Sequence, residues 1–123
     1  MRPTVTYVLL VLVIRLAPGL ALAQEITVGS KVFTESVILG EMLTQLSEKA
    51  GTDVSHRKDL GGTQILWQAL LRGEIDLYPE YTGTIGQEIL GDPSITQKLD
   101  IRLALEKYGV HMSRPLGLII PIL

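Results

Sequence analysis

The chain of 123 residues has no cysteine, which removes disulfide frameworks and lipid-modified cysteines from consideration. It lacks a basic excess: 11 Lys and Arg stand against 13 Asp and Glu. A positively charged patch for nucleic acid is therefore not expected. Its longest apolar run, Val8 to Ile14, falls far short of the roughly 20 residues that span a bilayer. His56 and His111 are isolated, with no His-and-acid pair at helical spacing around either, so no metal site is expected. Asp76 and Glu80 resemble an acid–base pair, but no second cluster supplies a nucleophile or metal partner, and structural hydrogen bonding is their expected role. Gly29-Ser30-Lys31 and Gly61-Gly62-Thr63 lack the Gly-Lys-Ser or Gly-Lys-Thr ending and the long glycine-rich arc of a phosphate loop. Neither an enzyme nor a cofactor site is expected.

The first 23 residues read as an export signal. Arg2 begins it, the apolar run follows, and Ala21-Leu22-Ala23 provides a small-residue cleavage site before Gln24. Cleavage after Ala23 would release an exported, soluble, periplasmic protein. Arg2 and Arg15 leave with the leader, so the remainder carries nine basic against 13 acidic residues, a net of −4. Residues 24–123 are enough for one modest core. Internal repeats, low-complexity tracts and charge blocks are lacking.

Strands and helices alternate along this segment, implying a layered α/β sheet with parallel crossovers. Ile26 to Val28 is a short strand, and a helix runs from about Glu35 to Lys49 with Thr34 as its cap and Gly51 as its stop. Phe33 and Ile38 have the spacing of a hydrophobic staple. Ile38, Leu39, Met42, Leu43 and Leu46 are expected to face the core. Val54 to Lys58 is a more polar strand, Thr63 caps a second helix ending at Arg72-Gly73, and Ile75 to Tyr78 is a third strand. Beyond it the pattern predicts helices over Ile85–Leu90 and Thr96–Tyr108 and a strand over Val110–Met112.

The turn after the third strand is the place for a ligand. Pro79 stops the ladder because it has no N–H, so Tyr81 and Thr84 emerge at a strand's carboxyl end, where open α/β sheets form their binding crevices. Tyr78, on the other side of Pro79, is expected to be core or cleft support. Trp67, at helical spacing, is expected to pack.

Gly29-Ser30-Lys31-Val32-Phe33-Thr34-Glu35, Leu60-Gly61-Gly62-Thr63 and Glu74 to Thr84, with its Tyr-Pro-Glu-Tyr-Thr-Gly-Thr ending, together resemble the substrate-binding proteins of ABC importers for glycine betaine, choline and related osmoprotectants. The resemblance runs from about Ile26 to Gly117. It implies a periplasmic-binding-protein-like fold of type II, α/β, present as one incomplete lobe: residues 1–23 the signal peptide, 24–117 the partial first lobe, and 118–123 an apolar tail unlike the family.

The same resemblance implies a quaternary-ammonium ligand, delivery to an ABC permease and ATPase, and a monomeric state. Tyr81 matches a wall of the family's aromatic box, and Lys31 and Thr84 match its carboxylate-contacting positions. The chemistry suits them: a quaternary ammonium has no N–H to donate and is held by aromatic faces, whereas a carboxylate needs a cation and hydroxyl donors. The alternative is a truncated remnant that binds no ligand.

Overall fold

A computed structural model describes residues 24–116. Strand β1 (Ile26–Gly29) leads into helix α1 (Thr34–Lys49), strand β2 (Val54–Arg57) and helix α2 (Thr63–Leu71). A short α3 (Thr82–Thr84) runs into a π-helical turn at Ile85–Ile89, and α4 (Lys98–Glu106) follows. β1 and β2 pair in parallel with Ile26 opposite Val54 and Gly29 opposite Arg57. The expected third strand is reduced to a parallel bridge between Val28 and Leu77. Two features shorten it. The Asp76 carboxylate accepts the Thr27 N–H at 2.7 Å, taking that donor out of the ladder, and Pro79 cannot donate further on. β1 is left between β2 and the Leu77 segment.

Two apolar clusters hold the elements together. Leu66, Ala69 and Ile75 form one beside the sheet, with Leu60, Leu70 and Tyr78 packed against them. Trp67, Ile85, Ile101 and Leu105 form the other. Trp67 meets the Tyr108 ring edge-on at 5.5 Å, and it packs as its helical spacing indicates. Val110 and Met112 also lie against this cluster, but no strand forms there: Val110 N–H instead donates to Leu105 C=O at 3.2 Å, closing the end of α4.

Helix α1 departs furthest from the pattern. Its fully buried positions are Ser36, Gly40 and Thr44, while Ile38, Met42 and Leu46 of the expected core stripe are each more than half exposed. Polar contacts explain which face docks. Ser36 Oγ accepts the Lys31 N–H at 2.9 Å, and Thr44 Oγ1 donates to Gly40 C=O at 2.9 Å. At Gly40 the helix passes so close to β2 that a Cβ would stand 2.5 Å from His56 Nε2. Only a face of small residues permits that approach. Among the described residues nothing buries the Ile38–Met42–Leu46 stripe, and Phe33 beside Ile38 is also mostly exposed, so the staple does not close. The caps differ too. Phe33 and Gly62 occupy the N-cap positions without side-chain caps, and Thr34 and Thr63 are the first helical residues. The helix stop is as expected, with Gly51 at φ +85° just beyond Lys49.

His56 joins α1 to the sheet. Its Nδ1 lies 3.1 Å from Glu41 Oε2 and its Nε2 2.9 Å from Ser30 Oγ. With the proton on Nδ1, the ring donates to the carboxylate and accepts from the serine. Lys58 Nζ reaches the same Glu41 oxygen at 3.2 Å. The His56 bond first, then Gln45 and Lys58, hold the Glu41 carboxyl down at about 2.

Two predictions follow from this docking. Gly40→Ala should lower stability by about 1–3 kcal/mol in urea denaturation, because the imidazole it meets is held from both sides. The folded Glu41 value lies below the ordinary 4.5, so its contribution is full above that pH and is lost as pH falls towards 2. Glu41→Gln should therefore lower the melting temperature at pH 7 and flatten its decline over that acid range.

Candidate functional site

The carboxyl ends of β1 and of the Leu77 segment open towards one cavity of about 360 Å³. Lys31, Tyr81 and Thr84 all line it, although they come from separate stretches of chain. Each is delivered by a local device. Lys31 follows β1 and is fixed through its main chain by Ser36. Tyr81 stands at the N-cap of α3 in extended backbone, two residues after Pro79. Thr84 lies one turn into the helical segment, whose start is marked by the Ile85 N–H donating to Tyr81 C=O at 2.9 Å.

Lys31 is not a free surface cation. It is only 6% exposed, and its ammonium donates to Glu80 Oε1 at 2.7 Å and to Thr63 Oγ1 at 3.0 Å. The Thr63 hydroxyl is thus committed to the lysine and does not cap its own helix. Glu80 Oε1 also accepts the Tyr81 N–H at 3.0 Å, so one carboxylate oxygen fixes both the cation and the aromatic residue. An ammonium has three donors, and two are used by these partners. Tyr81 keeps 45% of its surface exposed, leaving its ring open to a ligand. Burial, then the Glu35 carboxylate, push the Tyr81 phenol up to about 12. Burial raises Tyr78 as well, and it supports the cluster beside the sheet from the other side of Pro79.

The sequence did not single out Glu35, Thr63 and Glu88 as lining residues or Glu80 as the partner of Lys31. Glu35 was within reach, since it lies four residues after Lys31 across the turn into α1. The Lys31–Glu80 pair was not, because the two are 49 residues apart. Ser30, His56 and Glu41 have the connectivity of a nucleophile, base and orienting acid. Yet Ser30 is completely buried and cannot meet a substrate, so the trio braces the turn that carries Lys31. Among the described residues no three His, Asp or Glu side chains gather as metal ligands.

Removing one member of a buried pair leaves the other charge uncompensated, at a cost of about 3–5 kcal/mol. Lys31→Met and Glu80→Gln should each destabilise the chain on that scale. The double variant Lys31→Met/Glu80→Gln should lose clearly less than their sum, a non-additivity that chemical denaturation reads directly.

Residues 24–116 match the family described as the substrate-binding domain of ABC-type glycine betaine transport systems. The chain is 38% identical over 74 residues to the glycine betaine-binding protein YehZ of Escherichia coli K12, covering 60% of this chain and 24% of that protein. It is 36% identical over 104 residues to the ergothioneine transport permease/ergothioneine binding protein EgtU of Helicobacter pylori, covering 83% of this chain and 19% of that one. The solved structure of apo YehZ superposes with a TM-score of 0.56 at 34% identity, over 70% of this chain and 30% of that one. The chain therefore spans about a quarter of the length of these relatives. Its architecture is part of one α/β lobe of the type II periplasmic-binding-protein fold, and by sequence and fold alike the chain belongs to the substrate-binding domain family of ABC-type glycine betaine transport systems.

Proposed function

We propose that this chain provides the first-lobe half of a binding site for quaternary-ammonium osmoprotectants such as glycine betaine or choline, serving an ABC permease and ATPase from the periplasm as a monomer. The observation that carries this reading is the half-exposed Tyr81 ring, which shares one cavity with Lys31 and Thr84. A methylated cation sheds its hydration readily and is drawn to the negative face of a phenol ring. Lys31 through its remaining N–H, and Thr84 through its hydroxyl, would serve the ligand's polar end, whether hydroxyl or carboxylate. Relatives named for glycine betaine, ergothioneine and carnitine support the ligand class.

Magnitudes bound what the chain does alone. Phe33 lines the cavity beside Tyr81; two rings at about 0.5–2 kcal/mol of cation–π energy each still fall short of the about 8 kcal/mol that micromolar affinity needs. Weak binding, with Kd in the range of about 1 mM or above, is what the two rings sustain. The second reading is a remnant with no ligand affinity, favoured by the apolar stripe of α1 that nothing among the described residues covers.

Titration of the 123-residue chain with choline, followed by amide chemical shifts, separates the two. Shifts concentrated at Tyr81 and Thr84, retained in Tyr81→Phe and lost in Tyr81→Ala, are expected. Unmoved amides up to high millimolar ligand would leave the remnant standing.

A further inference from the structure

We propose that this cavity sorts ligands by net charge, taking a monocation in preference to a zwitterion, and that Glu35 is the residue that sets the preference. The inference rests on the quaternary-ammonium reading and narrows it.

The charges around the cavity are unbalanced. Among the described residues, Lys31 is the one basic residue lining it, and Glu80 neutralises it at 2.7 Å. Glu35 and Glu88 line the same cavity, and neither has an ion-pair partner among the described residues. Two carboxylate oxygens are, moreover, shut off from solvent without a donor: Oε1 of Glu35 and Oε2 of Glu80. The Glu80 side chain is only 6% exposed. Of the two, Glu35 lines the cavity, where a cation relieves the penalty of an oxygen that has lost water and gained no donor. The Tyr81 phenol feels the same field, since Glu35 and Glu80 both help to raise it.

A betaine carries a carboxylate into this environment. Lys31 offers that group little net attraction because its own charge is already compensated, while Glu35 repels it. A choline-like cation keeps the attraction to Tyr81, Glu35 and Glu88 and brings only a hydroxyl for Lys31 and Thr84. Glu35 belongs to the first turn of α1, an element braced through Ser36 and His56, so the backbone that carries it is held at the wall.

The test compares tetramethylammonium, choline and glycine betaine against the 123-residue chain at low, matched ionic strength, reading Kd from the Tyr81 and Thr84 amide shifts. Both monocations should bind about fivefold or more tighter than glycine betaine, and the gap should shrink as salt is raised. Glu35→Gln keeps the shape and removes the charge; it should weaken choline, spare betaine and bring the gap within about twofold, while Glu35→Asp keeps most of it. Glycine betaine binding as tightly as choline in the unmodified chain, or an undiminished gap in Glu35→Gln, would overturn the charge preference and leave the quaternary-ammonium reading intact. No response to any of the three ligands would remove both.

Discussion

The buried ion pair between Lys31 and Glu80 is the contact on which the rest of the cavity depends. It joins the turn after β1 to the segment after Pro79, and through Thr63 it reaches the start of α2. The same Glu80 oxygen accepts the Tyr81 N–H, so the aromatic wall is positioned by the atom that compensates the lysine. Buried pairs of this kind add little stability over an apolar replacement, but a one-sided loss is costly, which favours a single arrangement of the connected loops.

A second polar strut works behind the first. Ser30, His56 and Glu41 run from the β1 turn through β2 to α1, and Gly40 lets the helix come close enough for those bonds to form. Small residues and hydrogen bonds, rather than large apolar side chains, dock α1 on the sheet. The cost is visible on the opposite face of the helix, where Ile38, Met42 and Leu46 stay in water. The larger apolar side chains instead make the clusters around α2 and α4.

Electrostatics ties the struts to the cavity. Lys31, the one basic residue among the described residues that line the cavity, is already paired, and two further carboxylates, Glu35 and Glu88, stand at its wall. The family places these residues in a substrate-binding domain.

Local rules were sufficient for much of this in the sequence. The spacing of α1, Gly51 as its stop and Trp67 as a packing residue follow from backbone sterics and side-chain periodicity, which act over a few residues, whereas the expected third strand shrank to the Val28–Leu77 bridge. The emergence of Tyr81 and Thr84 at a strand end was legible for the same reason, and motif resemblance added Lys31. Tertiary structure alone decided which face of α1 turned inward, because burial depends on what stands opposite: Gly40 fits against His56 where Met42 would not. It decided the pairing of Lys31 with Glu80, since two charges 49 residues apart have no local signature. It also moved Thr63 from helix cap to lysine partner, because a hydroxyl follows the stronger field of a buried cation.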